Sequence, residues 1–148
     1  MPASDSQREG DRVEPSNDVR DTMLRFYERL SSGDVASFDR LVSSDPVTLV
    51  IGTSPGEWVT ERAALRYGFE AEGMGIEPGI RPTGYERGDV GWFVDEPVYV
   101  FPGGSGRMAT RLTAILQRED SDWRIVHMHV SVGVPDDEVL DLQARWLG

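Results

Sequence analysis

Both histidines of this chain fall in one short segment, Trp123-Arg-Ile-Val-His127-Met-His129-Val-Ser131, and they are the first residues to weigh for chemistry. A neutral imidazole can take a proton near pH 7, which makes His129 the leading candidate for a general base. The segment is β-branched and alternating, so it reads as a strand. Strict alternation puts Trp123, Ile125, His127, His129 and Ser131 on one side, with Arg124, Val126, Met128 and Val130 on the other. Ser131 could then orient a ligand or the ring, and His127 would be structural or stand at the pocket floor. The His-x-His pair, about 6–7 Å apart by strand rise, could chelate a metal, with Asp95 or Glu96 as third ligand. No spacing fixes that third ligand, so no metal is expected.

Asp95 is the strongest carboxylate. It is isolated among Trp92, Phe93, Val94, Pro97 and Val98, a setting in which a carboxyl group can be tuned for proton transfer. Glu96 competes if Pro97 changes the alternation. Arg111 shares a face with Thr113 and Ile115; turned inward, it would need a carboxylate such as Asp95 or an anionic ligand. Trp58 and Trp92 could wall a pocket for an apolar or ring-shaped molecule, and Tyr27 could add a phenolic donor.

Composition narrows the chemistry further. All 15 basic residues are arginines, and there is neither lysine nor cysteine. Schiff-base and P-loop lysines are excluded, as are thiol nucleophiles, disulfides and cysteine-ligated zinc. A net charge of −11 opposes a broad phosphate-binding surface, so no nucleic-acid partner is expected. No apolar run is long enough for a membrane span and the N-terminus lacks a signal-peptide core, which reads as cytoplasmic.

These residues need elements to position them. Residues 1–15 are polar and read as a disordered tail, leaving 16–148 as a single domain. Ser16 or Asn17 can cap a helix carrying Val19, Met23, Phe26, Tyr27 and Leu30, with Gly33 ending it. Asp34 can open a second, shorter helix through Val35, Phe38, Leu41 and Val42, and Thr60 a third carrying Ala64, Leu65 and Phe69, with Tyr67 as a further member. From Ile76 the period switches to 2, predicting strands near 77–87, 90–101, 107–118 and 123–132, with Pro82 and Pro97 marking edges or bends. A terminal helix follows over 136–147. Helices followed by a meander of bent strands is an α+β order.

Trp123–Ser131 followed by Val-Gly-Val-Pro135 resembles the closing strand of the SnoaL-like branch of the nuclear transport factor 2 (NTF2-like) superfamily. Val50–Trp58, Val90–Pro97 and Arg111–Thr113 resemble other recurrent stretches of that family, in the same order, and the likeness covers about residues 18–138. It implies an NTF2-like, cystatin-like cone, with a strongly bent, mainly antiparallel sheet around N-terminal helices, and commonly a homodimer packed through the outer sheet faces. It also implies either a cofactor-free isomerase, cyclase or dehydratase acting on a hydrophobic or carbonyl-bearing small molecule, or a non-catalytic ligand-sensing or dimerisation module.

Overall fold

The computed structural model describes residues 11–70 and 73–148. The first expected helix is α1, Asn17–Ser31. Ser16 caps it: its Oγ accepts the Val19 N–H at 3.2 Å and donates to Glu86 at 2.7 Å. Gly33 ends it at φ 67°, so that the Asp34 N–H reaches the Arg29 carbonyl (2.9 Å) and the Gly33 N–H reaches that of Leu30 (3.0 Å). That left-handed closure favours glycine. Val19, Met23, Phe26 and Tyr27 share the buried face, as their spacing requires. The second helix is short, a 3-10 turn Val35–Ser37 leading into α2, Phe38–Leu41. The others are α3, Arg62–Glu70, and α4, Asp136–Leu147.

Each of the first three long strands expected from the sequence is broken once. They become β4 (Gly75–Glu77) and β5 (Thr83–Arg87), β6 (Val90–Asp95) and β7 (Val98–Val100), and β8 (Arg107–Ala109) and β9 (Arg111–Glu119). The fourth stays whole as β10, Asp122–Ser131. Two of the breaks are locked together. Pro97 has no N–H to give, and its carbonyl accepts both the Thr110 N–H (3.0 Å) and the Thr110 Oγ1–H (2.8 Å). Beyond the bend lies a three-stranded sheet, β4-β7-β8. Before it lies a seven-stranded sheet, β1-β5-β6-β9-β10-β2-β3, which also takes in β1 (Glu14–Pro15), β2 (Leu49–Ile51) and β3 (Trp58–Val59).

Pairing is antiparallel except between β10 and β2. The result is the expected α+β fold with a strongly bent sheet around α1. Phe93, Leu112, Ala114, Leu116, Ile125, Met128 and Val130 form one core with the apolar face of that helix. Each large side chain buried there is worth roughly 1.5–3 kcal/mol. Residues 1–10 of the predicted tail lie outside the described residues. Glu14–Pro15, at its end, pair with Tyr85–Glu86, and Asp11 pairs with Arg87 at 2.7 Å, so the fold reaches back before Ser16. No helix among the described residues is long and apolar enough to cross a membrane.

Candidate functional site

β10 does not alternate strictly, and this decides where the histidines go. Opposite β9, Ile125 faces Leu116 and His127 faces Ile115, leaving Val126 as an extra residue. Two residues against one make a bulge, which turns the following side chains over. Trp123 and Ile125 are buried before it, and Met128 and Val130 after it. His127, His129 and Ser131 are therefore on the outer face, not beside Trp123 and Ile125 as alternation predicts.

On that face His129 stands between Thr113 and Ile51, His127 between Ile115 and Leu49, and Ser131 opposite Arg111. Farther across, Ile115 meets Trp92 and Thr113 meets Val94. Trp92 stacks on Tyr85 at 5.8 Å, and Trp58 pairs with Ile51 on the other flank. Seven of the nine candidate residues (His127, His129, Ser131, Arg111, Thr113, Trp92 and Trp58) thus share the outer surface rather than a concave pocket wall. His127 Nδ1 lies 3.0 Å from the Leu49 carbonyl and donates to it, which in a neutral ring leaves Nε2 as the acceptor. Arg111 has no ion pair among the described residues; the partner suggested by sequence, Asp95, turns to the opposite side of the sheet.

The remaining two candidates meet inside. Asp95 is buried while Glu96 is exposed, which resolves the choice between the two neighbouring acids. The Tyr27 hydroxyl and the Gly79 N–H both donate to Asp95 Oδ2, each at 3.1 Å. Oδ1 is buried without a partner among the described residues, and a Cβ on Gly79 would lie 2.5 Å from it, so the loop backbone covers that oxygen. Burial first, and then the nearby Asp95, push the Tyr27 phenol far above the ordinary tyrosine range. Burial, helped by the Glu57 carboxylate, pushes the Tyr99 phenol on β7 up to about 12.

On the other flank of α1 lies a cavity of about 170 Å³. Phe26 and Leu30 of α1, Phe38 beside them, Leu65 and Phe69 of α3, and Met128 of β10 line most of it. Ala64 and Gly68, one turn apart on α3, line it while staying exposed, so they form its mouth. A Cβ on Gly68 would touch nothing. None of the nine candidates lines this cavity. The sequence did mark Phe26, Leu65 and Phe69 as helical apolar positions, but periodicity cannot separate a cavity wall from a filled core.

With the geometry established, comparison places the fold. The model of the SnoaL-like domain matches residues 19–135. The chain belongs to this family. Its bent sheet around α1 is shared by solved structures of low sequence identity. An NTF2-like protein of unknown function from Pseudomonas putida KT2440 aligns with TM-score 0.65 at 16% identity, over 80% of this chain and 87% of its own. An NTF2-like superfamily protein from Salmonella enterica gives 0.67 at 15%, over 80% and 90%. The association domain of CaMKII from Caenorhabditis elegans gives 0.63 at 15%, over 87% and 100%. A search of curated protein sequences finds no match. At these identities the neighbours establish the fold of this SnoaL-like domain and leave its chemistry to its own residues.

Proposed function

We propose that this SnoaL-like domain binds a small apolar molecule without converting it, and that it does so as a homodimer. The carrying observation is the cavity between α1, α3 and β10, about 170 Å³ and lined by apolar side chains. An apolar cavity of about 150 Å³ accommodates benzene, so the occupant is of one-ring size. Among the described residues, no imidazole or carboxylate lines the cavity to move a proton there.

The dimer reading draws on the outer sheet face and on the CaMKII association domain among the structural neighbours. That face exposes Trp58, Val90, Val94 and Ile115 as a broad apolar patch, of the kind that marks an association surface. Its centre carries no carboxylate in a chain of net charge −11, so two copies can meet there with little repulsion. Isomerase, cyclase or dehydratase chemistry is the rival reading, and what favours it is the unpartnered Oδ1 of Asp95 beside Tyr27. It would require the loop at Gly79 to lift away.

Titration calorimetry with toluene, indole and cyclohexanone, followed by mass analysis of each ligand, tests the proposal. Binding with unchanged ligand mass is expected, and Gly68→Leu should abolish it by filling the mouth. That variant should also gain up to about 1 kcal/mol of stability, because glycine is a poor interior helix residue. Turnover that Asp95→Asn removes would overturn the proposal.

A further inference from the structure

We infer that the outer sheet face closes its dimer only while His127 and His129 are uncharged, so that mild acid releases monomers. This rests on the homodimer proposed above and adds its regulation. The argument begins with what surrounds the two rings. Across β9 they face Thr113 and Ile115, and across β2 they face Ile51 and Leu49. One strand farther out on each side are Val94 and Trp92 of β6 and Trp58 of β3. All of these are uncharged.

Along the outward rows of β9 and β10, the charged groups that follow the rings on either side are positive. Arg111 lies one row away opposite Ser131, and Arg124 lies beyond the bulge opposite Gln117. Arg87, on the outer strand β5, is already held by Asp11 at 2.7 Å. The carboxylates of the described residues stand toward the rim of this face. Glu119 sits in the β9–β10 turn, tied to the Ser43 hydroxyl at 2.6 Å and to the Gln117 amide at 2.9 Å. Glu96 stands one residue past β6, Glu57 one residue before Trp58, and Asp136, Asp137 and Glu138 begin α4.

Among the described residues, a protonated ring in the middle of the face therefore has no acid on its own copy to pair with. A second copy packed face to face brings the same uncharged centre. Burying an unpaired imidazolium in such a contact is costly, whereas the neutral ring is an acceptable interface group. For His127 the contact of Nδ1 with the Leu49 carbonyl selects the tautomer that its neutral form takes. Association thus selects neutral rings, and dissociation takes up protons.

The size follows from linkage. Each proton taken up on dissociation weakens the dimer by up to about 10-fold per pH unit, so one such ring per copy, two protons per dimer, gives roughly 100-fold per pH unit through the range in which the rings charge. If both rings respond, the effect approaches its square.

Sedimentation of the full chain at pH 7.5 and pH 5.5, with circular dichroism at both, provides the test. The expected result is a dimer at pH 7.5 that dissociates about 100-fold more readily at pH 5.5 with its circular dichroism unchanged. The His127→Gln/His129→Gln double variant should dimerise equally at both pH values, and Trp92→Glu should be monomeric throughout. A monomer at every pH would sink the dimer reading itself. A dimer broken by Trp92→Glu but indifferent to pH would leave that reading standing and overturn the inference. So would a pH response that survives in the double histidine variant, or dissociation accompanied by loss of the dichroism signal.

Discussion

Asp95 either fastens the structure or serves as a reactive group, and a double-mutant cycle with Tyr27 separates the two. Asp95 Oδ2 takes hydrogen bonds from Tyr27 and Gly79, each at 3.1 Å. These tie together α1, the loop before β5 and the end of β6, three segments far apart in sequence. A hydrogen bond to a charged acceptor contributes about 1.5–3 kcal/mol. Asp95→Ala removes two and leaves a buried phenol and a buried N–H unanswered, for a loss of about 3–5 kcal/mol. Tyr27→Phe removes one, for about 1.5–3 kcal/mol, and the coupling between the two sites should match that single bond. For a chain of this length each kcal/mol is about 2–4 °C in Tm, so Asp95→Ala should melt roughly 6–20 °C lower. Urea unfolding followed by tryptophan fluorescence gives the four corners of the cycle. A coupling below about 0.5 kcal/mol, the ordinary scatter of independent sites, would show that Asp95 does not act as a fastening.

Phe69 packs edge-on against Phe26 at 5.3 Å and Phe38 at 5.4 Å, so Phe69→Ala should cost about 3–5 kcal/mol by calorimetry while enlarging the apolar cavity it lines. A Cβ on Gly84 would lie 2.6 Å from the Ser16 carbonyl oxygen and 2.7 Å from the Arg20 nitrogen. Gly84→Ala should therefore lift the first turn of α1 from β5, costing about 1–3 kcal/mol, with faster hydrogen exchange confined to that turn. The Tyr99 phenol, pushed up to about 12, contributes its full stabilisation below pH 10 and loses it as pH climbs from 10 to 12. Between pH 9 and pH 11.5 the parent chain should lose about 2 kcal/mol more than Tyr99→Phe in urea unfolding.

Much of this architecture can be read from residue spacing. Ser16, the apolar positions from Val19 to Tyr27, and Gly33 define α1 because capping and a left-handed closure are local events. Pro82 and Pro97 gave two of the bends, since a residue without an N–H interrupts a ladder wherever its donor is needed. Thr110 gave no such signal: it bends the chain only through its two bonds to the Pro97 carbonyl, a distant partner. Val126 was equally silent. It is flanked by Ile125 and His127, has strand composition itself, and becomes the extra residue only because β9 pairs on both sides of it. Locating the site failed for that reason. The histidines, Arg111 and Thr113 were correctly grouped with one another, but on the wrong side of the sheet. The apolar cavity escaped notice because its walls differ from a packed core only in the space left between them.

The bulge at Val126 makes β10 a ribbon with a half-twist in its cargo. Its first half and its second half present opposite sets of side chains to the interior. Deleting one residue there would swing His127, His129 and Ser131 into the oily centre and push Met128 and Val130 out to water. Whether this strand furnishes a reaction chamber or an adhesive exterior therefore depends on the count of residues between two turns as much as on which residues they are.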